Sequence, residues 1–196
     1  MEKLDAAHSK KDGPFLLSVD AFPLFPGNKG NPISPKQFNY HIISLKTARD
    51  LNRYWHSRLP EITNAARSKN VICFGAMFCK RWYASAIWTD PIDKSFNGLG
   101  VLELRRMAIC DEAPKNTASN MIAKMIKIIK IKYPTITKLI SYQDTDVHLG
   151  TIYKASNWVI GRVTKKKEIR WGKGGRERNA IIADGEKIRW EMKLQR

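Results

Sequence analysis

The chain has 196 residues, with 35 Lys plus Arg against 18 Asp plus Glu, a formal net charge of +17. A hydrophobic content of 43% is enough for a core and excludes global disorder, and the length suits one domain. No run of about 18 apolar residues is present to span a membrane, and three cysteines, Cys73, Cys79 and Cys110, fit neither a disulfide framework nor a CxxC zinc site.

The opening MEKLDAAHSKKDG has no apolar stretch behind its charges, so no secretory leader is expected. For three such cysteines, free thiols in a reducing cytoplasm are the expectation. Pro14, Pro23, Pro26, Pro32 and Pro35, with Gly13, Gly27 and Gly30, break any regular element. Residues 1–36 therefore read as an irregular arm, and 37–196 as the domain, with a basic C-terminal extension from about 162. Residues 38–45 (FNYHIISL) read as a strand. Ser44 caps a helix over 46–56, with Ala48, Leu51, Asn52 and Trp55 near helical spacing. Residues 71–78 (VICFGAMF) and 82–89 (WYASAIWT) read as two strands of a hairpin around Cys79, Lys80 and Arg81.

Residues 90–100 form a loop. The long strand 101–110 (VLELRRMAIC) is expected to alternate, with Leu102, Leu104, Arg106 and Ala108 on one face. Asn116 or Thr117 caps the clearest helix, whose apolar stripe is Met121, Ile122, Met125, Ile128 and Ile129. Lys124, Lys127 and Lys130 fall on another face, and Tyr133-Pro134 ends it. A short buried strand (138–142, KLISY) and a short helix (150–156) come next. Residues 159–163, 168–171, 179–183 and 187–192 read as strands. This order predicts an α/β (α+β) domain, a mixed central sheet flanked by helices.

The charge is uneven. From Arg162 to Arg178 eight basic residues face two acids, with Trp171 and three glycines among them. Basic side chains beside an aromatic suit phosphate contact and base stacking. A solvated basic loop is the plainer reading. The excess over the whole chain favours double-stranded DNA as partner.

Several chemistries lack their motif. GxxxxGK[ST], a GxGxxG after a strand, HExxH, GxSxG and the HxE/PCxxC deaminase pattern are all missing. His8 and His41 belong to no constellation. His56 ends the first helix beside Trp55, which suits either a positioned imidazole or a helix-end histidine favoured by the dipole. Asp144, Asp146 and His148 directly follow a buried strand. They read either as acid/base or metal-ligand groups or as a turn whose carboxylates cap local amides. Tyr153, in GTIYKASNW, is a positioned phenol or a half-buried core residue. The turn 110–117 brings Lys115 and backbone amides to a helix N-terminus, a usable anion site, although Asp111 and Glu112 oppose it.

Residues 54–60 (YWHSRLP), 102–119 (LELRRMAICDEAPKNTAS) and 141–158 (SYQDTDVHLGTIYKASNW) together resemble the phage Mom family of DNA-modification enzymes, which are similar to GCN5-related acyltransferases. The resemblance runs from about 38 to 165. It implies an acyltransferase-like mixed sheet and an enzyme that adds an acetamido or methylcarbamoyl group to N6 of adenine in DNA. Such a modification protects phage DNA from restriction in the cytoplasm of an infected host. Carried over residue by residue, it implies His56, Asp144 and Tyr153 as the catalytic group. Lys115, Asn116 and Thr117 would lie at a cofactor's phosphates. The family is also linked to iron, for which His56, Asp144 and His148 would be the ligands, so acetyl-CoA and iron both stay open.

The sequence departs from the family pattern in two places. Ser57 follows His56 where some members have Tyr. The Gly-rich acyltransferase loop is replaced by 111–116, which has no glycine. DNA contact falls to Arg58, Lys165, Lys166, Lys167, Arg170, Trp171, Lys173 and Arg176. Two other functions compete: acetyl-CoA-dependent acylation of a protein or small amine, and DNA binding without catalysis.

Overall fold

A computed structural model describes residues 30–55, 68–146, 148–164 and 186–194. Its elements, in chain order, are β1 (Asn39–Ile43), α1 (Leu45–Trp55), β2 (Val71–Phe78), β3 (Arg81–Thr89), β4 (Val101–Ile109), α2 (Thr117–Lys132), β5 (Lys138–Asp144), α3 (Thr151–Lys154), β6 (Val159–Thr164) and β7 (Lys187–Lys193). The seven strands form one sheet in the order β1-β2-β3-β4-β5-β7-β6. All neighbouring pairs are antiparallel except β4 and β5, which run parallel with α2 as their crossover. This is the expected mixed sheet flanked by helices. The expected strands at 168–171 and 179–183 lie outside the described residues.

Local chemistry sets the elements. Ser44 Oγ accepts from the Thr47 amide at 3.0 Å and so caps α1. The β2–β3 hairpin turns on Cys79 and Lys80, both at positive φ (47° and 63°), which matches the twist of its flanking strands. α1 lies on one face of the sheet, where Ala48, Cys73 and Ile87 pack together. There the buried Asn52 carboxamide donates to Ala48 O (2.8 Å) and Ser85 Oγ (3.1 Å). α2 lies on the other face. Its buried Met121, Ile122, Met125 and Ile129 join the main core with Ile72, Phe74, Trp88 and Leu104. The Trp88 indole donates to Met125 Sδ at 3.1 Å.

Strand β4 departs from the expected alternation. Ile87 pairs with Arg106, but its successor Trp88 pairs with Leu104, so Arg105 is an extra, bulged residue. The bulge reverses the facing of the residues beyond it. Leu102 and Leu104 look towards α2, while Arg106 and Ala108, opposite Ile87 and Ser85, look towards α1. Leu102, Leu104, Arg106 and Ala108 therefore do not share a face. Val101, Leu102, Glu103 and Leu104 are all buried, because both sides of this strand are covered.

The described end of the predicted N-terminal arm packs on the domain. Ser34 and Gln37 form a capping box around the turn Pro35–Gln37, Tyr83 Oη donates to Asn31 Oδ1 (3.0 Å) and Tyr40 Oη donates to Asn120 Oδ1 (2.8 Å). Among the described residues, no helix is long and apolar enough to cross a membrane.

Candidate active site

The two parallel strands part. β4 and β5 pair from Val101–Lys138 only as far as Leu104–Ser141. Beyond that point β4 follows β3 and β5 follows β7, leaving a fork that opens towards the carboxyl ends of both strands. In open sheets of this kind ligands bind where neighbouring strands diverge. The bulge at Arg105 falls one residue past the apex and turns β4 away from β5.

Ser141 and Tyr153 close the apex. Ser141 Oγ donates to Leu104 O across the fork at 3.0 Å. Its one proton is thereby used, so the Tyr153 hydroxyl, 2.8 Å away, donates to it. The Tyr153 ring stacks on Trp190 (5.4 Å between centroids, 16° between planes) and meets Trp158 edge-on at 5.6 Å. Burial pushes the Tyr153 phenol up, and the Ser141 hydrogen bond pulls less strongly the other way. Burial thus favours the neutral phenol. The Trp158 indole N–H, buried and without an acceptor among the described residues, is an unused donor on the same side.

Asp144 ends β5 past the apex. Its Oδ1 accepts from the Asp146 amide at 3.1 Å, and its carbonyl accepts from the His148 amide at 3.0 Å. The capping turn is therefore real, and the carboxylate sits in it. Gln143 anchors this loop: it donates to the His148 carbonyl and accepts from Trp190 Nε1 at 2.7 Å. Gly150, at φ +70°, lies against the Gln143 carboxamide, and a Cβ there would stand 3.0 Å from Trp190 Cζ2. Only glycine meets both demands without strain.

The N-terminus of α2 stands open. Asn116 takes the cap position at φ 66° with no side-chain cap, although the sequence predicts a capping side chain there. Thr117 is buried, and its hydroxyl donates to Pro114 O at 2.7 Å, so this side chain serves the turn. Lys115 is exposed. Lys36, Asn116, Ser119, Asn120 and Ala155 help line a cleft of about 400 Å³ beside this end. First-turn amides, a lysine and a cleft fit the phosphates of a nucleotide-bearing acyl donor such as acetyl-CoA.

Of the three residues expected to hold iron, Asp144 and His148 are described and His56 is not. Among the described residues no three His, Cys, Asp or Glu side chains gather as metal ligands, and His148 is exposed. Of the sequence-based candidates, Tyr153 and Asp144 flank the fork, and Asn116 lies at the cleft. His56, Arg58, Lys165, Lys166, Lys167, Arg170, Trp171, Lys173 and Arg176 lie outside the described residues.

Ser141, Gln143, Lys36 and the Arg105 bulge escaped sequence reasoning. Ser141 and Gln143 stand inside the SYQDTDVHLGTIYKASNW motif, but nothing in their spacing shows that one reaches β4 and the other β7.

The model of the Mom protein family matches residues 65–192, a span that contains Asp144 and Tyr153 but not His56. The chain is 35% identical over 60 residues to the methylcarbamoylase Mom of Escherichia phage Mu, an alignment covering 30% of this chain and about a quarter of that protein. Solved structures of similar fold include a Bacillus subtilis acetyltransferase in complex with CoA, with 12% identity and a TM-score of 0.56 over 81% of this chain and 99% of that one. A GNAT acetyltransferase from Elizabethkingia anophelis with acetyl-CoA bound matches at 17% identity and a TM-score of 0.54, covering 81% and 99%. The ribosomal-protein-S18-alanine N-acetyltransferase of Escherichia coli matches at 8% and 0.56, covering 81% and 95%. The forked sheet is thus that of the GNAT acetyltransferases, and on the match over 65–192 the chain belongs to the Mom protein family.

Proposed function

We propose that this protein is a phage DNA-modification enzyme that adds an acetamido- or methylcarbamoyl-type group to N6 of adenine. The observation that carries the reading is the fork itself, in a chain of the Mom family: a buried neutral phenol at its apex and a carboxylate just past it. The net charge of +17 favours DNA over a protein or small amine as acceptor.

The chemistry sets the demands. The N6 lone pair is delocalised into the purine, so the amine must be held against an electrophile, lose a proton and be kept from water. In a duplex the base must also be flipped out. Asp144 or His56 is the proposed base. Tyr153 orients the reacting group or returns a proton. Lys36, Lys115 and Asn116 would hold the phosphates of a nucleotide-bearing donor whose transferred group already contains the amide; N6 bonds to that group's activated carbon as the carbon's bond to the donor breaks, the donor departs as the leaving group, and the N6 proton goes to the base. Arg58 and the basic residues Lys165, Lys166, Lys167, Arg170, Lys173 and Arg176 are the proposed phosphate contacts, with Trp171 available for stacking. The setting is the cytoplasm of an infected bacterium. No step is assigned to iron.

The test is mass spectrometry of nucleosides from plasmid DNA of expressing cells. A heavier deoxyadenosine is expected with the intact protein, its mass naming the added group. Asp144→Ala is expected to lower its yield by about 10²-fold or more, as for loss of a general base. Tyr153→Phe keeps the ring stack and removes only the donor; about 10- to 100-fold is expected. Unmodified deoxyadenosine from soluble intact protein would overturn the reading, as would full modification by both variants.

A further inference from the structure

The fork has two sides, and Tyr153 and α3 occupy only one of them. Ser141 points towards Tyr153 and α3. The next residue along the strand, Tyr142, therefore points to the opposite face of the sheet. It is 38% exposed, although its neighbours Ser141 and Gln143 are buried. An exposed aromatic ring on an inner strand, one residue past a fork, is not explained by core packing.

Its surroundings carry both charges: Glu103 and Asp93 lie within electrostatic reach of its hydroxyl, and so does Arg189. In register, Tyr142 pairs with Arg189 of β7, and Arg189 pairs with the exposed Arg162 of β6. The Arg189 guanidinium, beside Tyr142 in the register, is fixed by Glu191 at 2.8 Å and lies over the Phe96 ring at 5.0 Å. Gly161, opposite, leaves room for the Glu191 side chain that holds this arginine in place.

We propose that Tyr142 is the platform on which the extruded purine stacks, with Arg162 meeting the phosphate next to it. The proposal rests on DNA being the acceptor. It gives the two faces of the fork separate tasks, with the donor entering beside α2 and the base arriving over Tyr142. A flat π-surface bordered by guanidinium is the recurring means of holding an unstacked base, and an enzyme acting on a base must hold it outside the duplex.

Binding of the full chain to a labelled single-stranded 12-mer of deoxyadenosine is compared with binding to an abasic 12-mer of equal charge, by fluorescence anisotropy at 0.2 M NaCl. High salt suppresses the phosphate contribution that both share. The intact protein is expected to prefer the base-bearing strand about 5- to 100-fold, in line with one stacked base. Tyr142→Phe should keep that preference and Tyr142→Ala should lose it, with unchanged thermal melting showing both variants folded. An equal preference in Tyr142→Ala overturns the proposal, and so does an intact protein with no preference. If plasmid DNA is modified but the preference ignores Tyr142, this inference alone falls. If the preference depends on Tyr142 and no modified nucleoside forms, the platform stands and the proposed chemistry falls.

Discussion

Buried acids set the protein's response to alkali. Burial pushes the Cys73 and Cys110 thiols from 9.0 up to about 12, and the Tyr40 hydroxyl from 10.0 up to about 12. All three ionise more readily in the unfolded chain. The stability they contribute is therefore complete below about pH 9 and is lost as pH rises towards 12. Melting temperature should hold from pH 7 to 9 and fall steadily above it. At pH 8 a thiol reagent should label the exposed Cys79 in the native protein and reach Cys73 and Cys110 only in denaturant. A native protein labelled three times would contradict the packing around α1. At this scale the sequence was informative where one motif held both partners. Asp144 and Tyr153 are nine positions apart and meet the same fork. Ser141 and Leu104 meet only because two strands lie side by side, and no local pattern records that.

Among elements, α2 is the most uneven in charge. It carries Lys124, Lys127, Lys130 and Lys132 and no acid. Lys124, Lys127 and Lys130 stand three apart on its exposed side, so each neighbouring pair repels. Lys127→Glu turns two repulsions into attractions. It should stabilise the protein by about 0.5–1 kcal/mol at low salt, shrinking in 0.5 M NaCl; denaturant unfolding at both salts reads this. No gain at low salt would mean that these side chains splay too far to interact. The helices and most strands were legible from periodicity, because α1 and α2 each bury one stripe. The facing of β4 was not. Its Arg105-Arg106 pair looks like ordinary alternation, and only the register with Ile87 and Trp88 exposes the bulge. Asn116 likewise occupies the expected cap position but leaves the helix end open, because a residue at φ 66° turns its side chain away from the first-turn amides.

For the whole molecule, the excess of positive charge predicts duplex binding that falls steeply with salt. About six phosphate contacts give a log–log slope near −5, by the rule of about −0.9 per contact. Titrations between 0.05 and 0.3 M NaCl measure it. A slope shallower than about −2 would contradict a backbone grip by the basic run. Fold class was legible from the order of strands and helices. The sheet order was not, since β7 lies between β5 and β6 and that insertion has no local signature. It carries a consequence for synthesis. β6 has β7 as its sheet neighbour, yet β7 leaves the ribosome only after residues 165–186 have been made. At about 5–20 residues per second, Val159, Ile160 and Val163 wait about 1–4 s before β7 is made to pair with them. The chain made during that wait, residues 165–186, carries seven Lys and Arg against four Asp and Glu, and this net positive charge works against neighbouring nascent chains zipping together at the edge of β6.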